Sequence, residues 1–506
     1  MRTDPRQLHR VTFDVVVIGA GIHGAAIARD AALRGLSALL VDARDVAAGA
    51  SARTSSVIDA GLRDLRRGRF VAAREALQER ERLLRTAPHI VRPLPMLAPC
   101  YDDVTEAPAR LWIATTLSSR LARRSTLPRP RRLDAGAAIA AFPGLQPRGL
   151  RSGLLFFEAR VQDARLTLAN VLDAVAAGAG FCNHAEVAGC DADGVTLRAA
   201  GAEVVIKARE LVNAAGSSVD IVRRSLGGDG PDLVRARRVR RVVMPARVGE
   251  LALCAFLPGD LAHAVVPHAG GALCSAEEGA AQQSELSSRD RVDQICASFA
   301  RLFDPPPRRQ DICRVVSCSR ALPRGVDELR ARHDPPLIVS EDVSCGRLHT
   351  VVGCRFTSHR AFAERAVASI FGLSHASPTR TRPLPGGDGP REVSDDLWWR
   401  HGSRLGALRA SVAAAPELGE RLCEHRPFLT AELIDAVQRQ GAVTFADAML
   451  RRLVDVRGPC TEPACLRRAI VVFQRAGGEV GDEDREIAAI VEESRGESSG
   501  WQREDS

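Results

Sequence analysis

The stretch FDVVVIGAGIHGAAIARDAALRGLSALLVDA, residues 13–43, constrains this chain more than any other feature. FDVVVIG is a short, β-branched apolar run that stops at glycine, as a buried parallel strand does. IHGAAIARDAALRG places small and apolar residues at helical spacing and ends on Gly35, a suitable helix C-cap. LSALLVDA supplies a second strand, so the segment predicts one βαβ unit. Gly19, Gly21 and Gly24 fall between strand and helix in the G-x-G-x-x-G pattern. The first allows a tight turn, the second lets a pyrophosphate approach the backbone, and the third lets helix and strand pack closely. Asp42 ends the second strand, where a carboxylate accepts hydrogen bonds from ribose hydroxyls, and the amides of Ile22 and His23 open the helix with its positive dipole end. Glycine pattern, βαβ context and distal acid together predict a dinucleotide clamp with an unphosphorylated adenosine ribose. They leave FAD and NAD both open.

The rest of the chain restricts the alternatives. At 506 residues, two to four domains are expected. No uninterrupted apolar run reaches 18 residues and the opening MRTDPRQLHR lacks a signal-peptide core, so the chain is expected to be cytoplasmic, with membrane contact only at the periphery. The net charge of +8 suits an anionic partner, yet one lysine, Lys207, stands beside 69 arginines scattered throughout. A nucleic-acid surface also wants interleaved aromatics, and the one tyrosine is Tyr101, so nucleic-acid binding is not expected. The 13 cysteines are expected to be reduced. The nearest pairs, Cys313 with Cys318 and Cys460 with Cys465, have no matching second pair of cysteines or histidines, so no metal site is expected.

Residues 70–86 read as an amphipathic helix stopped by Pro88, and 123–148 as a surface connection rich in Arg, Pro and Gly. DARLTLANVLDAVAAGA reads as a helix, RELVNAAG as a strand with a glycine turn, and 240–275 as short antiparallel strands. After PLPGGDGP, residues 395–480 look almost wholly helical, which puts a boundary near 380. The tail EESRGESSGWQREDS reads as frayed or disordered. The loop GASARTSSVIDAGLRDL, residues 49–65, follows the acid as a Gly-Ala-Ser loop does alongside the cofactor of flavoproteins.

DVVVIGAGIHGAAIARDAALRGLSALLVDARD, AGLRDL, LSSRLARRSTLPRPRRLD, VQDARLTLANVLDAVAAGA, ELVNAAG, TVVGCRFTSHRAFAERAV, PLPGGDGP and AVTFADAMLRRL occur in this order. In this ordered set the chain resembles the FAD-dependent, quinone-linked (aerobic-type) glycerol-3-phosphate dehydrogenases over nearly its whole length. The resemblance implies an α/β fold: a Rossmann-like FAD-binding domain of the glutathione-reductase/D-amino-acid-oxidase kind, an antiparallel-sheet substrate domain and a C-terminal helical domain. The expected boundaries are 11–235 with 312–375 for FAD, 236–311 for the substrate domain (with part of 65–150 contributing), 380–490 for the helical domain and 491–506 for the tail. Carried over by position, Gly19, Gly21, Gly24 and Asp42 would hold the ADP part of FAD. Ser51, Ser55 and Ser56 would line the flavin side of the loop, Val187 would offer backbone to the adenine, and Ala215 and Gly216 would flank the pyrophosphate. Gly353, Arg355 and Thr357 would meet the isoalloxazine ring at a helix start, whose dipole favours an anionic reduced ring. The implied reaction is hydride transfer from C2 of glycerol 3-phosphate to the flavin, with electrons passed on to quinone. Arg63, Arg320 and Arg355 fall where cationic pocket residues are expected.

The pocket positions also depart from the family. The His-Gly-Gly-Leu-Arg-Tyr turn is Asp59-Ala60-Gly61-Leu62-Arg63-Asp64, a lysine has become Ser56, and a histidine has become Arg241. Gly-Thr-Thr-Asp is replaced by CSAEE with Glu277, Arg-Asp by Ser340-Glu341, and Gly-Gly-Lys by Gly353-Cys354-Arg355. Carboxylates at 59 and 64 would weaken phosphate binding if both face the pocket. Asp59 is the candidate general base, or else a partner of Arg63. His359 and His401 read as structural or solvent-facing, and LWIATTLSSRLARR as either a basic amphipathic surface or a packing helix. A different small hydroxy or amino substrate, or a flavin-binding protein without turnover, remains compatible with these departures.

Overall fold

The computed structural model describes residues 1–102, 105, 108–122, 125–245, 249–257, 261–268, 271–276, 288–326, 334–353, 355–390, 395–453 and 460–495. The fold grows from the opening unit: strand β1 (Thr12–Ile18), helix α1 (Ile22–Leu33) and strand β2 (Ala38–Val41). Val15 to Ile18 are buried on both faces, as a central parallel strand requires. β1 pairs in parallel with β2 on one side and with Ala202–Asn213 on the other. Gly180–Cys182 extends the sheet beyond β2, while Gly346–Val352 and then the antiparallel Leu337–Val343 extend it on the other side.

Two layers cover this sheet. Val15 and Val17 pack on α1 and on the helices Asp163–Ala176 and His359–Phe371. Val16, Ile18, Leu39 and Val41 pack on an antiparallel excursion, Ala185–Asp191 with Gly194–Ala199. Gly35 ends α1 at φ +81°, the left-handed conformation expected of a glycine there.

The second sheet is wider than residues 236–311. Its strands run in the order Arg314–Pro323, Val234–Met244, Gly271–Ala276, Leu261–His268, Ala252–Leu257, Val91–Tyr101, Leu150–Val161, Val57–Ile58. The segment 314–323, assigned from sequence to the FAD domain, lies against 234–244 over ten residue pairs. Such pairing joins segments far apart in the chain, and a single strand carries no local mark of its partner. The surface connection at 123–148 also contains ordered elements, strand Arg131–Asp134 and helix Ala135–Ala141. Helix Pro108–Leu121 packs through Leu111 and Ala114 against Leu62, Leu65 and Met96, so it is a packing helix, although Ile113 stays exposed.

The C-terminal unit is helical around Leu433, Phe445, Leu466, Ile470, Phe473, Ile487 and Ile490. It also contains a hairpin, Arg421–Cys423 with Arg426–Leu429. This hairpin corrects the reading of the cysteines. Cys460 and Cys465 do have a second pair, Cys423 and His425, and the four ligand atoms lie within 4.8 Å of one another. The sequence spacing hid this because the two pairs are separated by a whole helix, Thr430–Gln438, and its following turns. The unit is bound to the segment after β2 by Arg452, whose Nη1 and Nη2 lie 2.7 and 2.8 Å from the two carboxylate oxygens of fully buried Asp45. The tail is shorter than read from composition. Helix Glu483–Arg495 continues past 491, and its Glu493 pairs with Arg53 at 2.5 Å; residues 496–506 lie outside the described residues. Among the described residues no helix is long and apolar enough to cross a membrane.

Candidate functional site

Where β1 ends, the backbone turns at Gly19 with φ +105°, and a Cβ there would lie 2.6 Å from the Ala214 carbonyl oxygen. A Cβ on Gly24 would meet the Gly19 carbonyl oxygen at 1.9 Å, so only glycine lets α1 start this close to the strand end. Asp42 caps the arrangement: its carboxylate accepts the backbone N–H of Ala20 at 2.6 Å and of Arg44 at 2.8 Å. Burial pushes its pKa up, while these two amides work in the opposite direction. Ser51 Oγ accepts the Ile22 N–H at 3.0 Å, which holds the 49–65 loop over the start of α1.

These groups open onto a cleft. Gly19, Gly21, Asp42, Ser51 and Ser55 line one part of it, Ala215 and Gly216 another, and Gly353, Arg355 and Thr357 the far end before helix His359–Phe371. Three expected residues lie elsewhere. Gly24 is behind the turn, where it serves packing. Ser56 is buried at φ +57°, its carbonyl accepting from Val161 N–H, so it is tied into the second sheet. Val187 is buried in the antiparallel excursion, paired with Leu197. The cleft also has walls that the motifs did not single out, including Arg44, Arg53, Thr54 and the His23 side chain. Burial holds the His23 pKa down at about 4, so the ring is neutral at neutral pH; Nε2 lies 3.2 Å from the Arg355 carbonyl oxygen. Sequence reasoning used only the His23 amide, because the motif concerns backbone.

A second cavity adjoins the first. Ser55, Val57, Asp59 and Arg320 line both, so they form the common wall. Arg63 lines the second cavity with Arg237, Arg238, Arg240, Arg241 and Arg320, and the apolar walls are Met96, Phe156 and Phe256. Among the described residues, the carboxylate-bearing Asp59 and Glu158 line it as well. Asp59 Oδ1 accepts the Gly61 N–H at 2.9 Å, which fixes the turn that carries Arg63. Glu158 was not a sequence candidate. Burial raises its pKa to about 7 against the pull of Arg80, 3.0 Å away, and the nearby charge of Asp59 raises it further. Nothing local in FFEAR marks it, since its environment comes from three other segments. Cys254 is a poor nucleophile, its pKa pushed up to about 12 by burial.

Arg355 requires a correction. It lines the first cleft but not the second cavity, and its Nη2 donates to Asp64 Oδ2 at 2.7 Å, with both groups buried. Asp64 is therefore paired with Arg355 and is not among the residues that line the second cavity. Two departures read separately from the sequence, at 64 and 355, are partners in space. Glu341 is likewise remote, paired with Arg223, and Ser340 Oγ lies 2.7 Å from His349 Nδ1. Arg241 Nη1 donates to the Arg53 carbonyl at 2.9 Å, joining the sheet to the loop. Glu277 and Cys354 lie outside the described residues. His359 is buried with Nδ1 2.9 Å from the Phe356 carbonyl, and His401 is buried against Glu432 at 2.7 Å, so both are structural.

Residues 14–363 match the family of FAD dependent oxidoreductases. The chain belongs to that family. FAD is its cofactor, and the donor set fits: amides at the start of α1, a carboxylate at the end of β2 and a glycine turn with close backbone approach. This FAD-dependent oxidoreductase is 29% identical to a glycerol-3-phosphate dehydrogenase of Synechocystis over 89% of its own length and 90% of the relative's. It is 30% identical to one from Mycobacterium leprae, covering 94% and 87% of the two chains, and 29% identical to a D-erythritol 1-phosphate dehydrogenase of Brucella abortus, covering 87% and 94%. The solved glycerol-3-phosphate dehydrogenase of Bacillus halodurans, complexed with FAD, shares the fold with a TM-score of 0.71 at 21% identity, over 96% of this chain and 95% of that one.

Proposed function

We propose that this FAD-dependent oxidoreductase oxidises a small phosphorylated polyol, glycerol 3-phosphate in the first instance, to the corresponding ketone. The observation that carries this reading is the arginine-lined cavity sharing the wall Ser55, Val57, Asp59 and Arg320 with the cofactor cleft. Guanidinium forks suit a phosphate dianion, and Arg63 and Arg320 are the proposed phosphate ligands. Gly19, Gly21, Asp42, Ser51, Ser55, Ala215, Gly216, Gly353 and Thr357 are proposed to hold the cofactor. When bound, FAD supplies the two-electron acceptor for the hydrogen on the substrate carbinol carbon. Asp59, at the junction of the two spaces, takes the hydroxyl proton in this reading. Met96, Phe156 and Phe256 exclude water from the reacting carbon. Arg355, engaged with Asp64, positions the turn beside the cofactor rather than the phosphate. The names of the relatives support the substrate class, and quinone at a membrane surface is the proposed electron acceptor.

Anaerobic addition of glycerol 3-phosphate to the purified yellow protein tests the reading. Bleaching of the flavin absorption band at low substrate concentration is the expected result. Bleaching by another hydroxy or amino donor alone would move the assignment to that donor. No bleaching by any donor would leave a flavin-binding protein without turnover.

A further inference from the structure

Away from both cavities, three segments of the C-terminal unit converge on one point. The turn Glu424-His425 of the hairpin brings Cys423 and His425 to it, the chain before helix Pro463–Arg475 brings Cys460, and the first turn of that helix brings Cys465. All three thiols are buried. His425 Nδ1 lies 3.6 Å from Cys423 Sγ, 3.6 Å from Cys460 Sγ and 3.5 Å from Cys465 Sγ. A tetrahedral zinc ion with Zn–S near 2.3 Å and Zn–N near 2.0–2.1 Å has an N···S edge of about 3.6 Å. The observed distances are those of the edges of such a tetrahedron.

We propose that Cys423, His425, Cys460 and Cys465 bind one structural zinc ion through three thiolates and His425 Nδ1. The donor set favours zinc: three sulfurs and one imidazole make up the four protein ligands of a closed structural site, and no fifth candidate ligand joins them among the described residues. A two-iron cluster needs its ligand pairs farther apart than the 4.8 Å that spans this whole set. A disulfide would draw two sulfurs together to about 2.05 Å and leave the imidazole without a role. The three cysteines are buried while His425 is exposed, so the ion would be held from the inside by sulfur. Leu422, Phe428, Met449 and Leu466 form an apolar shell, and the His425 backbone N–H donates to Cys423 Sγ at 3.3 Å, the kind of bond that supports a metal-bound thiolate. The ion would fasten the hairpin to helix Pro463–Arg475. That helix packs against Glu483–Arg495, whose Glu493 reaches Arg53 in the cofactor loop.

The test uses full-length flavoprotein expressed in zinc-replete medium and purified without a polyhistidine tag. Elemental analysis is expected to give about one zinc per chain, and X-ray absorption about three sulfurs and one nitrogen in the first shell. Cys465→Ser and His425→Ala are expected to lose at least about nine-tenths of the zinc and to melt at lower temperature, while keeping one FAD per chain. If these variants do not fold, wild-type protein produced with cobalt supplies the readout: the visible bands of a tetrahedral, thiolate-rich cobalt centre are expected. Wild-type protein without zinc, with the absorption of an iron–sulfur cluster, or with a disulfide among these cysteines would overturn the proposal, as would full zinc retention in both variants.

Discussion

Asp59 and Glu158 share a cavity wall yet differ in what surrounds them. Asp59 is exposed into the junction of the two cavities, within reach of a ligand in either, while Glu158 is buried beside Arg80. Asp59→Asn is therefore expected to slow flavin reduction by about 100-fold or more with FAD retained, as measured by anaerobic stopped flow. A gain in substrate affinity without slowing would show that this carboxylate only opposes phosphate. Glu158 makes a different prediction. Its folded pKa, about 7, lies above the ordinary 4.5, so the folded protein holds this proton more tightly than the unfolded chain does. Its contribution to stability is fully present below about pH 4.5 and is lost as pH rises towards 7. Glu158→Gln is expected to flatten that fall, and denaturant melts of both proteins at pH 5 and 7.5 measure it. The sequence singled out Asp59 by its place in the turn before Arg63 and passed over Glu158, because FFEAR says nothing of burial or neighbours.

The element that sets the cofactor site is the strand–turn–helix from Thr12 to Leu33. Its helix is almost wholly buried and has no basic residue in its last turn, so its stability comes from packing against the sheet and the two helices beside it. The tightest contact is Gly24 against the Gly19 carbonyl. Gly24→Ala would place a methyl group 1.9 Å from that oxygen, and backbone on both sides cannot rotate away. The expected cost is about 3 kcal/mol. The protein is expected to emerge with little flavin, read from the ratio of flavin to protein absorbance. This element was legible in the sequence because strand periodicity, glycine spacing and helix periodicity are all local. The second sheet was less so: its antiparallel strands at 240–275 were readable, but its recruitment of 57–58, 91–101, 150–161 and 314–323 was not.

At the scale of the molecule, buried ion pairs join the C-terminal unit to the cofactor side. Arg452 grips Asp45 with two parallel hydrogen bonds, Arg451 reaches both Asp45 and Asp447, and His184 pairs with Asp447 at 2.9 Å. Asp45 stands three residues beyond Asp42, so this network supports the strand end that carries Asp42. Arg452→Ala would remove the bidentate partner of a fully buried carboxylate, at an expected cost of about 3–5 kcal/mol. Calorimetry with flavin release followed in parallel is expected to show earlier melting and earlier loss of FAD.

By itself the sequence determined the dinucleotide clamp, the cofactor and the family, since each rests on short-range spacing or on motifs in a fixed order. It also supplied Arg63 and Arg320, which the fold brings to one cavity. Tertiary structure decided that Asp64 faces Arg355 across 291 positions, that Glu158 holds its proton near neutral pH, and that Cys423 and His425 stand beside Cys460 and Cys465. The reason is the same in each case: charge, burial and coordination depend on distances through space, which a chain acquires only when its remote segments pack.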